Sequence, residues 1–170
     1  MNTNDIEQNI SQLIVEASLR LTDNRIHSNA AWTDAIFLAL TNFAYKLNPP
    51  LWVWTKKNAA DTTLNGFLYD FTIREGANTE DRNKIDKVWV AMEIEWKSGW
   101  DEIRYDFYKL ILGRSMLRVM IFQSRHVEQT ISDLVEVLET NSMSICGDRY
   151  LFAGWSDKKN GFTFKSHTKG

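Results

Sequence analysis

The chain has 170 residues, of which 44% are hydrophobic, 25% charged and 12% aromatic, and its 20 Lys and Arg against 22 Asp and Glu leave a net charge of -2. These figures exclude a disordered chain and a whole-molecule basic field, and two domains in this length would each struggle to bury a core, so one globular domain over 1–170 is expected. A lone cysteine, Cys146, excludes a disulfide framework and a Cys-based zinc site; it points to a reducing compartment, with cytoplasm as the default, and to use as a small apolar filler.

The opening MNTNDIEQN lacks the basic start and apolar stretch of a secretory signal. No apolar run approaches the ~20 residues of a membrane span, so a soluble protein with no membrane partner is expected. Ile6, Ile10, Leu13, Ile14, Ala17 and Leu21 recur at helical spacing and predict an amphipathic helix over 5–21. Ser28 is placed to cap a second helix, with Trp32, Ile36, Phe37, Leu40, Phe43, Ala44 and Leu47 as its apolar face and Pro49-Pro50 as its stop.

After the prolines, LWVW (51–54), FLYDFTI (67–73) and VWVAMEIEW (88–96) are rich in aromatic and β-branched residues and predict three strands. The polar stretch REGANTEDRNK (74–84) between the last two reads as an exposed loop whose Lys and Arg face solvent. Ile103, Phe107, Leu110 and Ile111 return to helical spacing over 100–113, and MLRVMIF (116–122) follows as a strand, a crossover that suggests parallel pairing. Ile131, Leu134, Val135 and Leu138 mark a further helix, and RYLFAGW (149–155) and GFTFKS (161–166) predict a closing hairpin over SDKKN. The order ααβββαβαββ predicts an α/β or α+β fold, a mixed central sheet flanked by helices.

Strand alternation sets Glu93, Glu95 and Lys97 on one face of 88–96 with Trp89 and Ala91, and Val88, Val90, Met92, Ile94 and Trp96 on the other. The plain structural explanation is a wet face with cross-strand ion pairs. In FLYDFTI the same alternation leaves Asp70 with Leu68 and Thr72. An aspartate is a poor strand former, and burying its charge without a partner costs several kcal/mol, so Asp70 requires a cation or a hydrogen-bond network; Lys97 or a nearby Arg would serve.

Asp70 on one strand and Glu95-Trp96-Lys97 at the end of the next, followed by a helix, together resemble the PD-(D/E)XK nuclease superfamily, whose fold is that of restriction endonucleases. The family core αβββαβ maps onto about 29–122, leaving an extra N-terminal helix and a C-terminal helix plus hairpin. EIEWKS is also similar to the acidic-x-Glu-Trp box of some type II restriction enzymes, with Asp106 where they carry an Asp early in the next helix. Tyr69 stands where the motif has a proline.

The resemblance implies a Mg²⁺-dependent DNA endonuclease, in restriction or defence against foreign DNA, with Asp70, Glu95 and Lys97 catalytic. Asp70 and Glu95 are the implied ligands of Mg²⁺, for which Mn²⁺ substitutes. A phosphodiester must have charge neutralised on the attacked group and on its leaving alkoxide. Mg²⁺ takes oxygen ligands and keeps positions for phosphate and water, while Lys97 is suited to orient the water and offset charge. Glu93 has three readings: a second ion ligand, a hydrogen-bond partner of the ligands, or a solvated edge residue. Asp34 on the early helix is a further candidate.

DNA contacts are expected from Arg104, Lys109, Lys56-Lys57 or Lys158-Lys159, each of which reads equally as a solvated charge. Base reading would fall to the 74–84 loop or the C-terminal hairpin, and cutting both strands with one centre per chain implies a homodimer. His27, His126 and His167 have no paired metal spacing. The alternative function is a catalytically inactive member of the fold, acting as a protein- or nucleic-acid-binding module.

Overall fold

The computed structural model describes residues 2–26, 28–55, 68–76 and 85–170. His27, Lys56, Lys57, Phe67 and residues 77–84 of the polar loop therefore lie outside the described residues. The elements run α1 (Thr3–Asp23), α2 (Asn29–Lys46), β1 (Trp52–Thr55), β2 (Phe71–Gly76), β3 (Ile85–Glu95), α3 (Trp100–Leu112), β4 (Leu117–Gln123), α4 (Val127–Thr140), β5 (Arg149–Ser156) and β6 (Gly161–Thr168). The fold is α/β: four helices and a mixed sheet in strand order β1-β2-β3-β4-β5-β6. β1 pairs antiparallel with β2, β4 parallel with β5, and β5 antiparallel with β6. Two compact units divide the chain, Met1–Val90 and Ala91–Gly170, and β3 runs from the first into the second.

In the first unit, Asn2 caps α1 by accepting the Asp5 N–H at 2.9 Å, and Ile6, Ile10, Ile14, Ala17 and Leu21 form its buried stripe. Ser28 caps α2 in the expected way, accepting the Ala31 N–H at 3.0 Å. Phe37 of α2 meets Phe71 of β2 with ring centroids 5.0 Å apart, which joins the helix to the sheet.

Two expectations fail in this unit. Asp70 is not inside a strand, because Leu68–Asp70 form a bend, Leu68 has a left-handed φ of 66°, and β2 begins only at Phe71. A leucine at positive φ breaks extended geometry, and the aspartate is thereby kept out of the ladder it would weaken. Arg74 does not face solvent: it is 1% exposed inside β2, and its guanidinium lies 3.7 Å from the ring centre of Trp54 on β1. Trp52 is its register partner on that strand. The flat, weakly hydrated guanidinium stacks where an ammonium would not, and burial lowers its pKa.

In the second unit, α3 and α4 pack on the face of β5 that carries Tyr150, Phe152 and Gly154. Phe107 of α3 lies 5.7 Å from Tyr150 and 5.6 Å from Phe152, ring centre to ring centre. The buried residues of α4, Val127, Thr130, Ile131, Leu134 and Leu138, follow helical periodicity. Gly154 permits the closest approach. A Cβ there would stand 2.3 Å from Val127 Cγ1 and 3.0 Å from Phe122 Cζ.

Arg118, 1% exposed on β4, serves the other end of α3. It donates to the carbonyls of Leu110 at 3.1 Å, Gly113 at 2.9 Å and Ser115 at 3.2 Å, and pairs with Asp148 at 3.1 Å. α3 has no side-chain cap at its N-terminal end, so this guanidinium supplies the helix's terminal hydrogen bonding at the carboxyl end, where a cation also suits the dipole. Cys146 is exposed, not a core filler, since the loop after α4 carries it out to solvent.

Gly154→Ala is expected to destabilise the protein by about 1–3 kcal/mol through overpacking. Urea unfolding of Gly154→Ala beside Gly154→Ala/Val127→Ala checks this, with part of the loss recovered in the double variant.

Candidate functional site

β3 is buried on both faces through its second half: Val90, Ala91, Met92 and Glu93 are each 1% exposed or less. Glu93 is thus not the solvated edge residue of one sequence reading. Its Oε2 accepts from Lys109 Nζ on α3 at 2.6 Å, and the same ammonium pairs with Asp106 at 2.7 Å. Asp106 and Lys109 are three residues apart on one helix face, so a single lysine spans its helical neighbour and the strand beneath.

Burial by itself pulls the Lys109 pKa down, but hydrogen bonds to Asp106 and Glu93 and the attraction of both carboxylates outweigh it. The ammonium is held well above its ordinary pKa. Lys109 is therefore half-buried, with its ammonium engaged by Glu93 and Asp106, and is not the freely solvated charge of one sequence reading.

Glu95, two residues beyond Glu93 and half-buried, ends the strand; its Oε1 accepts the backbone N–H of Lys97 at 2.7 Å. Lys97 is not on the strand face, because β3 stops at Glu95 and the chain bends through Lys97 before α3. That side chain is exposed and lines a cleft. The expected sheet alternation fails here because the carboxylate folds back on its own backbone, closing a local turn.

The cleft measures about 670 Å³ and belongs to the second unit. Three strand ends build it: Trp96, Lys97 and Ser98 after β3, Gln123, Ser124 and Arg125 at the end of β4, and Ser156, Asp157 and Lys158 at the end of β5. Parallel β4 and β5 bring their carboxyl ends to the same edge, and crevices at such edges are where α/β sheets take ligands. The Asp157 carboxylate accepts from Gln123 Nε2 at 2.7 Å and from Trp155 Nε1 at 2.8 Å, which fixes the two strand ends. Ser124 Oγ is 2.8 Å from Thr130 Oγ1 of α4, which anchors the start of that helix.

The other candidates are dispersed. Asp70 is half-buried in the bend before β2 and Asp34 is exposed on α2, both in the first unit. Arg104 pairs with Asp101 at 3.0 Å, Lys159 pairs with Glu128, and His167 with Glu139 at 2.7 Å. Among the described residues no three His, Cys, Asp or Glu side chains group as a metal site. Mg²⁺ needs only one or two carboxylates when waters and substrate phosphates complete its shell, and the hard oxygen donors of Glu95 have that chemistry.

Sequence reasoning missed one residue and one pairing. Lys109 was read as a DNA contact or a solvated charge, and its pairing with Glu93 escaped notice because the two are 16 positions apart on different elements. Arg125 stands alone in sequence, and only the strand order brings it beside Lys97 and Lys158.

Among the described residues, no helix is long and apolar enough to cross a membrane. Comparison of the chain with protein-family models, curated proteins and solved structures gave no match.

Lys109→Met is expected to cost about 3–5 kcal/mol, because it leaves the Glu93 charge buried without its cation. Glu93→Gln/Lys109→Met should recover part of that loss in denaturant unfolding. Since the folded pKa of Lys109 is raised, its contribution is fully present below the unfolded value of ~10.4 and is lost only as pH rises through the folded value. The wild-type advantage over Lys109→Met should therefore stay level across neutral pH and decline only in strong alkali.

Proposed function

We propose that this protein is a Mg²⁺-dependent DNA endonuclease of the restriction endonuclease-like fold, with Asp70, Glu95 and Lys97 as its working groups. The observation that carries the reading is the gathering of ionised groups at the end of β3. Glu93 is enclosed with Lys109 and Asp106, Glu95 follows half-buried, and Lys97 comes next at the wall of a polar cleft. Burying charge is costly, and sites that handle charged substrates are where such arrangements concentrate. The observed order α2-β1-β2-β3-α3-β4 also matches the αβββαβ core of the superfamily.

In this reading Glu95 is a ligand of the ion, Asp70 is the second ligand that the resemblance implies, and the ion when bound would polarise a phosphoryl oxygen. Lys97, exposed on the cleft, orients the attacking water and offsets charge on the phosphate. Glu95 keeps one oxygen on the Lys97 N–H, so the carboxylate and the start of the lysine's chain move as a unit. Glu93, already neutralised by Lys109, supports the strand under Glu95.

A second reading, a binding module of the same fold without catalysis, is favoured by one observation: Asp70 lies in a bend before β2 and not inside the strand where the motif has its carboxylate. The two readings part in a nicking assay on supercoiled and single-stranded DNA with Mg²⁺ or Mn²⁺. Glu95→Gln and Lys97→Ala are each expected to lower cleavage at least a hundredfold with no change in melting temperature, and chelation should abolish it. Wild-type protein inert on both substrates in either metal would falsify the endonuclease reading and transfer support to the binding module.

A further inference from the structure

The cleft at the ends of β3, β4 and β5 contains more cationic character than the catalytic reading uses. Lys97, Arg125 and Lys158 are all exposed on it, and none of the three makes an ion pair with a described residue. The acid that lines the cleft, Asp157, spends its carboxylate on Gln123 and Trp155. Three cations against one carboxylate leave the lining with a formal charge of +2, on a chain whose total is -2. The nearby Lys159 and Arg104 have their own partners, Glu128 and Asp101, so the unpaired cations concentrate here and not along the whole edge.

Chemistry narrows the ligand. Ser98 adds an exposed hydroxyl, Arg125 offers a forked donor set suited to phosphate, and Trp96 adds an aromatic ring to the wall. Neighbouring strands lie ~4.8 Å apart, so β3 to β5 spans ~10 Å. That span exceeds a single phosphate group and admits consecutive phosphates along one nucleic-acid strand. A small dianion would use only a corner of it.

We propose that this cleft seats the sugar–phosphate backbone of a nucleic-acid strand, with Arg125 and Lys158 as phosphate-binding residues beside Lys97. The proposal rests on the endonuclease reading for its substrate class, but it concerns binding and is tested without catalysis. Phosphate contacts of this kind position a strand without reading its bases.

The test is fluorescence anisotropy of end-labelled single- and double-stranded oligonucleotides with the full chain in chelator, repeated with inorganic phosphate as competitor. Arg125→Ala/Lys158→Ala is expected to weaken binding at least tenfold and to reduce the slope of log K against log salt by about 1.4 to 1.8, with melting temperature unchanged. The charge-matched control Arg114→Ala/Lys46→Ala, at exposed positions outside the cleft, should leave both nearly as in the wild type.

Equal losses in the two double variants would assign the effect to overall charge and overturn the cleft. So would wild-type protein that binds no oligonucleotide. Capture of inorganic phosphate without oligonucleotide binding would overturn the strand assignment. Oligonucleotide binding lost only in the cleft variant, from a wild type that cuts nothing with Mg²⁺ or Mn²⁺, would uphold the cleft and reject the endonuclease reading.

Discussion

The second unit is organised around a carboxylate in a place where water cannot reach it. Glu93 is fully buried in a strand covered on both faces, and a charge so placed is tolerated only with a partner at hydrogen-bond distance. Lys109 meets that requirement, and in doing so constrains α3: the helix must lie where its tenth residue reaches the strand. Asp106, one turn earlier, shares the ammonium. The helix is thus fixed in rotation as well as in position, since a turn of one residue would swing Lys109 away from the strand.

Arg118 imposes the complementary condition at the helix's carboxyl end. Its three carbonyl acceptors lie on the last turn of α3 and the loop after it, and Asp148 balances its charge. A guanidinium buried with its donors occupied is a strong specifier of geometry, because any displacement strands several donors at once. Between the two charged ties, Ile103, Phe107, Leu110 and Ile111 supply the apolar contact that stabilises the packing. The cleft inherits this rigidity. Its walls are strand ends, and Asp157 ties Gln123 of β4 to the end of β5.

Much of this was legible in the sequence. Helices, strands and their order follow from periodicity and capping: α2 starts at the Ser28 cap, and α1, α4 and the β5–β6 hairpin fall where apolar spacing puts them. The charged residues were harder to place, since whether Arg74 or Lys109 is buried depends on Trp54 and Glu93, which are remote in sequence. Local pattern reads both as solvated. Asp70 and Lys97 were misplaced for a different reason: strand alternation was carried beyond the true strand ends, through the left-handed Leu68 in one case and past the Glu95 turn in the other. Arg125 carries no sequence signal at all, because its relevance arises from three strand ends meeting.

The outer position of β6 in the sheet has a colloidal consequence. Among the described strands β6 is the last of the sheet, and an outermost strand of eight residues is a template for another chain that proteins guard with charge. Here Lys165 and Ser166 are exposed, and His167 and Lys169 turn to Glu139 on α4, which holds the strand's far end against its own helix. Continuing the sheet into a neighbouring molecule would bring two copies of Lys165 towards each other and pull against that tether. Edge-to-edge stacking is opposed on electrostatic and mechanical grounds, so self-association, where it occurs, is steered to other faces.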